Sequence, residues 1–263
     1  MGSVAIIGAG PGAADLITVR GARLLAQADV VLFDALADPA LKALAPKARW
    51  IDVGKRGYAD STGQATINAL LVAHARRVDR VVRLKGGDPS VFGRLEEELE
   101  ALATAGIACE IVPGVTAALA AAAHSQRPLT RRGSGRSVTL ATAMTREGAA
   151  VEAARAHRAD TEVFYMAGKQ LGALARRLLR DGWPADAPCS VVSRAGWPDT
   201  LLSDHPVAQL AQAALLHAGR PTVVTVGAGA LALKSVPPPA SPPRASSAPG
   251  TPVRRAHPTE SLS

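Results

Sequence analysis

The stretch Arg83-Leu84-Lys85-Gly86-Gly87-Asp88-Pro89-Ser90-Val91-Phe92-Gly93-Arg94 follows an apolar, β-branched pair, Val81-Val82. It holds three glycines, a proline and an acid within eight residues, so a helix cannot run through it and a sheet ladder cannot use its proline. Paired glycines let a backbone approach a ligand closely, because no Cβ stands in the way. The carboxylate of Asp88 can then accept hydrogen bonds from hydroxyl or amino groups. A plain strand-to-helix turn capped by Asp88 is the alternative, and the rest of the chain favours ligand binding.

Around this stretch, short apolar runs alternate with amphipathic stretches, a pattern typical of an α/β fold. Strands are predicted at Val4–Ile7, Val30–Phe33, Trp50–Val53, Val81–Leu84, Cys109–Val112, Ser137–Ala141, Glu162–Met166, Ser190–Ser193 and Thr222–Val226. Helices are predicted at Val19–Ala28, Ala65–Arg77, Arg94–Ala105, Thr116–His124, Leu171–Asp181 and Val207–Leu216.

The pattern restarts after Val112-Pro113-Gly114-Val115, which divides the chain into two halves. We therefore predict an N-terminal α/β domain over residues 1–113 and a C-terminal α/β domain over residues 114–234. Residues 235–263 contain eight of the 19 prolines and have no apolar period. This composition predicts a disordered tail without catalytic content.

The charge of the chain favours an anionic partner. The formal net charge is +8, with 24 Arg and six Lys, and the tail carries three Arg and one Glu, which leaves +6 on the folded part. A basic body attracts phosphate or polycarboxylate groups, and the planar arginine fork binds carboxylates in a bidentate way. Aromatic residues make up only 3% of the chain, which disfavours a stacking platform for single-stranded nucleic acid.

Composition also predicts the compartment and the state of the cysteines. The sequence has no uninterrupted apolar run long enough to span a membrane, and its first residues lead directly into a strand, so we expect a cytoplasmic protein. Cys109 and Cys189 lie in apolar, strand-like segments, far from any histidine pair at ligand spacing. They are predicted to be reduced core thiols, and no metal site is predicted.

The loop Gly8-Ala9-Gly10-Pro11-Gly12-Ala13 satisfies the G-x-G-x-x-G/A pattern of dinucleotide-binding domains. In that pattern the helix opens at the glycines, so that its N-terminus faces the pyrophosphate. Here the helix is predicted to begin only after Thr18, its N-cap, with Asp15-Leu16-Ile17 in between. The loop is therefore detached from the helix dipole, which favours a less anionic cofactor. An NAD or FAD enzyme stays an alternative.

Charged residues follow two other predicted strands. Asp34 ends the second strand, and Gly54-Lys55-Arg56-Gly57 follows the third. Open α/β sheets bind their ligands at these carboxyl ends, so Asp34 and Lys55 can transfer protons or anchor a charged substrate. A capping role for Asp34 and a solvated basic turn for the cations are equally compatible with the sequence.

Several motifs, taken in order, resemble the tetrapyrrole methylases. In the first half they are Gly8-x-Gly10-Pro11-Gly12 with Asp15-Leu16-Ile17-Thr18, residues 28–34, Val53-Gly54-Lys55-Arg56, residues 82–94 and residues 112–117. In the second half they are Pro128-Leu129-Thr130-x-Arg132, Val163-Phe164-Tyr165-Met166 and Ser193-Arg194-Ala195-x-x-Pro198. The resemblance covers about residues 4 to 231, and it is closest to the branch of the family that methylates uroporphyrinogen III.

The resemblance implies two α/β domains with S-adenosylmethionine in the cleft between them and S-adenosylhomocysteine as its product. It implies C-methylation of uroporphyrinogen III at two ring carbons, which gives precorrin-2 for sirohaem or cobalamin biosynthesis. Asp34 is the implied proton acceptor and Lys55 the implied proton donor. The implied cofactor contacts are Pro11, Gly86, Gly87, Asp88, Val91, Thr116, Ala117, Met166 and Ala195. A homodimer is implied as well, and no membrane or nucleic-acid partner.

The substrate carries eight carboxylates, which fits an arginine-rich body. Arg56 on the basic turn and the group Arg127, Arg131, Arg132 and Arg136 are candidates to bind them, among which we select Arg56, Arg131 and Arg132. A solvated basic loop is the alternative for the group of four.

Departures from the family pattern lie mostly on the substrate side. Ala35 stands where arginine is common, Tyr58-Ala59-Asp60 lacks the usual histidine pair, and Leu95-Glu96 replaces two glycines. Arg131 replaces a histidine, and Ala143-Met144 stands where Gly-His is usual. The cofactor motifs are intact, so the sequence supports the cofactor more strongly than the substrate. Another tetrapyrrole methylase, or a related ribosomal RNA ribose methyltransferase of the same fold, is the alternative function.

Overall fold

Two five-stranded sheets organise the chain, and a computed structural model describes it over residues 2–54, 63–144 and 159–233. The first sheet has the order β3-β2-β4-β1-β5, and its neighbouring strands are all parallel. Its strands are Ser3–Gly8 (β1), Val30–Phe33 (β2), Arg49–Asp52 (β3), Arg80–Lys85 (β4) and Cys109–Val112 (β5). The helices that follow its strands are Val19–Leu25 (α1), Gln64–Ala75 (α2), Leu95–Thr104 (α3) and Ala117–Ser125 (α4).

The first sheet is covered on both faces. Val4 and Ile6 of β1 pack in a core with residues of α2 and α3, whereas Ile7 packs on the opposite face with Leu25 of α1. Strands buried on both sides read as continuous apolar runs, which explains why their sequences predicted them well. Because the strands are parallel, all five carboxyl ends lie at one edge of the sheet.

The second sheet is mixed and has the order β6-β7-β10-β8-β9. Its strands are Val138–Thr142 (β6), Thr161–Tyr165 (β7), Pro188–Ser193 (β8), Leu201–Pro206 (β9) and Thr222–Gly227 (β10), and Leu171–Arg180 forms α5. Strands β7 and β8 are both antiparallel to β10, which lies between them. They therefore run in the same direction, and their carboxyl ends, followed by Met166 and Arg194, lie at the same edge.

Most predicted elements are confirmed within one to three residues, and Thr18 caps α1 by accepting a hydrogen bond from Gly21 N–H at 3.1 Å. One predicted helix was of the wrong type, and strand β9 and the 3-10 helix Pro39–Leu44 were missed. Strand β9 was missed because Leu201–Pro206 is an edge strand with a half-buried, polar sequence. The predicted helix Val207–Leu216 is a 3-10 helix at Val207–Ala214, in which the buried Val207, Leu210 and Ala213 repeat every three residues, the period of that helix.

The proposed division of the chain is compatible with the two sheets, since β1 to β5 precede residue 113 and β6 to β10 follow it. The boundary itself stays a prediction, and the predicted tail, residues 235–263, lies outside the described residues. No helix in the described part of the chain is long and apolar enough to cross a membrane. Both cysteines are free thiols; Cys189 is buried, whereas Cys109 is only half-buried. Burial raises the pKa of Cys109 to about 11 and that of Cys189 to about 12.

Candidate active site

Three glycines pack backbone against backbone where β1, β4 and β5 end. A Cβ on Gly8 would lie 2.6 Å from the Cα of Gly114 and 2.7 Å from the carbonyl oxygen of Gly87. A Cβ on Gly114 would overlap that same carbonyl oxygen and approach the Cα of Gly8 to 2.8 Å. Real Cβ atoms do not occupy such positions, so this close approach requires glycine.

The first glycine loop pairs with the glycine turn after β4. Gly10 and Gly87 exchange backbone hydrogen bonds of 3.3 and 2.7 Å, and both have left-handed φ angles, +80° and +72°. Ala9 N–H donates to the Lys85 carbonyl at 2.7 Å, and Ala13 N–H donates to the Gly196 carbonyl at 2.8 Å. The N–H groups of Ala9, Gly10 and Ala13 in this loop are therefore engaged within the protein, and α1 begins only at Val19. Both findings argue against pyrophosphate binding at this loop and against the dinucleotide alternative.

Asp34 lies at the same edge and is half-buried. Its Oδ1 accepts a 3.0 Å hydrogen bond from Leu36 N–H, and its Oδ2 accepts one of 3.0 Å from Gly86 N–H. The local bond is the turn-capping role that the sequence allowed, while the second bond attaches the carboxylate to the glycine turn. Each carboxylate oxygen keeps a lone pair for a further donor.

Asp88 joins the glycine turn to the segment that leads into α4. Its Oδ1 accepts a 2.8 Å hydrogen bond from Ser90 N–H, and its Oδ2 accepts one of 2.9 Å from Gly114 N–H. Two residues further on, the Thr116 hydroxyl lies 2.7 Å from the hydroxyl of Tyr165, at the end of β7. Burial raises the pKa of Tyr165, so the phenol is neutral and able to donate in this bond.

Contacts between the two halves continue this chain of interactions. Val91 packs with Ala117 against a buried cluster that includes Tyr165 and Ala195. The Phe92 ring lies 5.1 Å from the ring of Tyr165, centroid to centroid.

A second set of contacts connects the first glycine loop to the loop after β8. A Cβ on Gly12 would lie 2.7 Å from both Gly196 and the Trp197 ring. Ala13 N–H binds the Gly196 carbonyl beside the buried Ala195. Each segment that contains a predicted cofactor-binding residue therefore contacts at least one other such segment. Their role in binding a cofactor stays a prediction.

Open space lies beside the glycine turn at Gly87. A Cβ built on Gly87 would meet no atom within 4 Å, whereas one on Gly86 would lie 2.5 Å from Leu36 Cβ. Gly87 therefore presents bare backbone to an open region, which a ligand can approach closely. Because the N–H and the carbonyl of Gly87 are bonded to Gly10, the turn offers a ligand close approach and not hydrogen bonds from Gly87, which fits a cofactor packed against bare backbone.

A buried cluster of charges beneath the glycine turn was missed at the level of the sequence. Glu98 of α3 is fully buried and accepts hydrogen bonds from Arg83 Nε at 3.0 Å and Lys85 Nζ at 2.9 Å. Burial, followed by the charge of Arg83, lowers the pKa of the Lys85 ammonium, against the opposing attraction of Glu98 and Asp34. The sequence does contain a signal for this cluster. Arg83 and Lys85 lie two residues apart on an apolar strand, and an acidic helix follows them.

The candidate substrate arginines have different surroundings. Arg127 is buried and donates to both carboxylate oxygens of Asp204, with one bond of 2.6 Å, and to the Ala230 carbonyl at 3.0 Å. It is therefore a structural residue and not one that can bind a substrate carboxylate. Arg131 donates to the Leu231 carbonyl, while Arg132 and Arg136 are exposed. Lys55 and Arg56, like Tyr58, lie outside the described residues.

The chain matches the model of a protein family and is similar to several known proteins. Residues 3–211 match the model of the Tetrapyrrole (Corrin/Porphyrin) Methylases. A uroporphyrinogen-III C-methyltransferase of Pseudomonas aeruginosa is 45% identical over 195 residues, which are 74% of this chain and 80% of that protein. A siroheme synthase of Edwardsiella ictaluri is 45% identical over 193 residues, which are 73% of this chain and 42% of that protein.

Among solved structures, a uroporphyrin-III C-methyl transferase from Thermus thermophilus, complexed with S-adenyl homocysteine, superimposes with a TM-score of 0.75. It is 36% identical, and the match covers 86% of this chain and 97% of that one. The chain spans about half the length of the siroheme synthases that it matches. Among the described residues, no group of three or more His, Cys, Asp or Glu side chains is arranged to hold a metal ion. The family model covers most of the chain and the fold agrees, so this chain belongs to the tetrapyrrole methylase family.

Proposed function

We propose that this chain is an S-adenosylmethionine-dependent C-methyltransferase that converts uroporphyrinogen III to precorrin-2. The observation that carries the proposal is the 3.0 Å hydrogen bond from Gly86 N–H to Asp34 Oδ2. This bond links Asp34, which is expected to accept a proton, to the glycine turn, which is expected to bind the methyl donor. The names of the Pseudomonas and Thermus relatives, and the S-adenyl homocysteine in the Thermus crystal, support this substrate and this cofactor.

The proposed cofactor site lies between the two halves of the chain, which we take as two domains divided at residue 113. Its residues are Pro11, Gly86, Gly87, Asp88, Val91, Thr116, Ala117, Met166 and Ala195. When bound, S-adenosylmethionine supplies an electrophilic methyl group. The chain holds the reacting groups in place through the open backbone of Gly87 and the fixed carboxylate of Asp88, and such positioning supplies much of the rate of a group transfer.

Asp34 is the proposed proton acceptor, and its two backbone hydrogen bonds keep the carboxylate oriented towards the glycine turn. Lys55 is the proposed proton donor. The residue before it supports this pairing, because a Cβ on Gly54 would overlap the backbone nitrogen of Ala35 and lie 2.8 Å from the carbonyl carbon of Asp34. Gly54 therefore lies directly beside Asp34, and Lys55 follows it in the sequence.

The proposed substrate side uses cations to bind the acid side chains of the macrocycle. Arg132 is exposed, and Arg131 is half-buried, with one of its guanidinium nitrogens on a backbone carbonyl. Together with Arg56 they form the proposed carboxylate-binding set, and the net charge of the folded part favours the approach of a polyanion.

Methyl transfer to uroporphyrinogen III is the direct test. Purified protein, S-adenosylmethionine and uroporphyrinogen III are expected to give a product heavier by two methylene units, read by mass spectrometry. A folded protein that binds S-adenosylhomocysteine but methylates only a different tetrapyrrole would overturn the substrate. RNA methylation, with a steep salt dependence of RNA binding, would overturn the class of substrate.

The role of Asp34, which follows β2, has a matched control in Asp29, which precedes the same strand. Asp29 lies before β2 and also accepts a backbone N–H, from Arg80 at 2.9 Å, but at the opposite end of the sheet. Asp34→Asn is expected to lower kcat about 100-fold or more, with the Kd for S-adenosylhomocysteine nearly unchanged, whereas Asp29→Asn leaves kcat unchanged. Equal effects of the two substitutions would contradict the assignment.

We also propose that the protein is a homodimer, as the family resemblance implies, and that it is cytoplasmic, as its composition predicts. Light scattering after size-exclusion chromatography measures the assembly directly. A monomer at all concentrations that still turns over substrate would overturn the homodimer and leave the proposed reaction intact.

A further inference from the structure

The loop of residues 194–200 connects β8 to β9 and contacts the first glycine loop. The Gly196 carbonyl accepts a 2.8 Å hydrogen bond from Ala13 N–H. Gly12 packs so closely against this loop that a Cβ on it would lie 2.7 Å from the carbonyl carbon of Gly196. Ala195, a proposed cofactor residue, is buried in the same loop. The position of the 194–200 loop therefore determines how Ala195 and the first glycine loop are placed relative to each other.

The backbone of the 194–200 loop needs support from outside the loop. Arg194 has a φ of +51°, in the left-handed region that costs conformational energy for a residue with a side chain. Its Nε donates to Asp199 Oδ1 at 2.8 Å, and its carbonyl accepts from Trp197 N–H at 3.0 Å. These bonds shape the loop, but they lie within it and do not attach it to the rest of the molecule.

Arg220, which lies just before β10, provides this attachment. Its Nε donates to Ser193 Oγ at 3.1 Å, and its Nη2 donates to Asp199 Oδ2 at 3.0 Å and to the Asp199 carbonyl. Arg194 N–H adds a 2.8 Å bond to the carbonyl of the neighbouring Pro221. One planar guanidinium therefore binds the residue that precedes the loop and a residue near its end, which a single-point cation such as lysine would do less well.

A buried polar network holds Arg220 from the other side. Ser193 and His217 are fully buried, and Ser193 Oγ lies 2.9 Å from Nδ1 of His217. Because Arg220 Nε can only donate, the Ser193 hydroxyl accepts from it and can donate its own proton to His217. Nε2 of His217 in turn lies 2.9 Å from Ser203 Oγ on β9. The guanidinium is thus fixed between this network and the 194–200 loop.

We infer that Arg220 is a positioning residue that holds the 194–200 loop against the first glycine loop and so keeps Ala195 in place for the cofactor. The inference rests on the proposed function, because Ala195 is a cofactor residue only within that proposal. Arg220 acts through Ser193 and Asp199, so it is expected to affect binding of the cofactor and not proton transfer at Asp34.

Arg220→Gln, which removes the guanidinium, tests the inference against a matched control, Arg177→Gln. Arg177 pairs with Asp181 in the same half, and its side chain is 16% exposed, compared with 23% for Arg220. Arg220→Gln is expected to raise the Kd for S-adenosylhomocysteine about tenfold in isothermal titration. The KM for S-adenosylmethionine is expected to rise by a similar factor, with kcat at saturating cofactor within about twofold. Arg177→Gln leaves all three values unchanged.

Hydrogen exchange of the ligand-free protein, followed by NMR, gives a second readout. Ala13 N–H is bonded to the Gly196 carbonyl, so release of the loop is expected to accelerate exchange at Ala13 about tenfold in Arg220→Gln. Exchange within β1 stays unchanged, which separates local release from global unfolding. If Arg220→Gln does not fold, Asp199→Ala removes the exposed partner and is expected to raise the same Kd about threefold.

Other outcomes overturn the inference. An unchanged Kd with a lower Tm in Arg220→Gln would make Arg220 a purely structural residue, and unchanged exchange at Ala13 would show that the loop does not depend on it. A fall in kcat without a rise in KM would assign Arg220 to the chemical step. If the wild type binds S-adenosylhomocysteine but does not methylate uroporphyrinogen III, the proposed substrate fails, and the Kd and exchange data still decide the role of Arg220. If the wild type binds no S-adenosylhomocysteine, both the proposed function and the inference fail.

Discussion

The loops at the end of the first sheet and those at the end of the second reach the same left-handed conformation with different residues. After β1 and β4 the residues are glycines, Gly10 and Gly87, whereas after β7 and β8 they are Met166 and Arg194. Gly87 faces open space and Gly10 lies against Leu16, whereas the neighbouring Gly8 and Gly114 are the positions where a Cβ has no room. The second set keeps its side chains: Met166 is exposed, and Arg194 stacks 4.3 Å above the Trp197 ring. The first set therefore offers bare backbone, whereas the second set offers side chains.

Charge is distributed just as unequally between the halves. The first sheet buries Glu98 with Arg83 and Lys85, all less than 5% exposed, directly beneath the glycine turn. The second half pairs the buried Arg127 with Asp204, whose side chain is 56% exposed. Desolvation makes the loss of one partner much more costly in the first case, and this difference can be measured.

The largest effect is expected for Glu98→Gln. The substitution leaves two buried cations without their carboxylate, and the free energy of unfolding is expected to fall by about 4 kcal/mol. Asp204→Asn removes the charge of a carboxylate that is half open to water and leaves an amide oxygen that still accepts from the buried Arg127, so it is expected to cost less, about 2 kcal/mol. Urea denaturation of both variants measures the contrast, and equal costs would show that burial does not distinguish the two pairs.

The next effect concerns space at glycine. Gly114→Ala forces a Cβ into the backbone of Gly87 and Gly8, and we expect a loss of about 3 kcal/mol in the free energy of unfolding. Gly172→Ala, within α5, makes only ordinary contacts of 3.8 and 3.9 Å and is expected to stabilise by up to about 1 kcal/mol through helix propensity. Thermal unfolding checks the opposite signs. A stabilised Gly114→Ala would contradict the packing of the three glycines.

A smaller effect separates backbone strain from ligand binding. Gly87→Ala and Gly219→Ala place a methyl group at almost the same φ, +72° and +70°, and both sites are open. Each is expected to lose about 1 kcal/mol of stability. Only Gly87→Ala is expected to weaken binding of S-adenosylhomocysteine, by about tenfold, in isothermal titration. Unchanged affinity in both variants would remove Gly87 from the proposed cofactor site.

The smallest effect is a dependence of stability on pH. His217 is buried between Ser193 and Ser203, each 2.9 Å away, and burial, followed by the charges of His205 and Arg220, lowers its pKa below 6.5. The unfolded chain therefore takes up a proton that the folded chain resists, so this contribution to stability is full above about pH 6.5 and is lost as the pH falls below it.

Unfolding free energies measured between pH 7.5 and 5.5 test this dependence. His217→Asn is expected to have a shallower slope than the wild type, and His124→Asn, at an exposed site, the same slope as the wild type. A wild-type slope that persists in His217→Asn would assign the effect to other groups. The experiment sharpens the comparison of the halves, because it reports on a buried polar network of the second sheet alone.

The prediction of elements succeeded where local rules are strong. The parallel strands were recognised as apolar runs, Thr18 as a helix cap, and the glycine turn as a break between β4 and α3. The edge strand β9 was not predicted, because it is stabilised by pairing with β8 and has no apolar pattern of its own. The 3-10 form of Val207–Ala214 was not predicted, because its three-residue period is set by the residues that it packs against and not by its own helix propensity.

The sequence predicted which segments contribute residues to the candidate site, and the roles of those residues stay predictions. The motifs named the residues around Asp34 and Gly87, and the structure brings their segments together through Gly10, Gly114 and Tyr165. The arginines were harder, since the sequence treats Arg127 and Arg132 alike. One of them is buried on Asp204, 77 residues away, and the other is exposed.

By itself the sequence determined the α/β class, the glycine loops and the order of the motifs, because glycine, proline and apolar periodicity act on the nearest few residues. Only the tertiary structure decided which charges are available for chemistry and which hold the fold. Glu98 and Arg127 differ from exposed acids and arginines only through burial and through partners far along the chain. Desolvation and pairing belong to the packed molecule, and no local pattern encodes them.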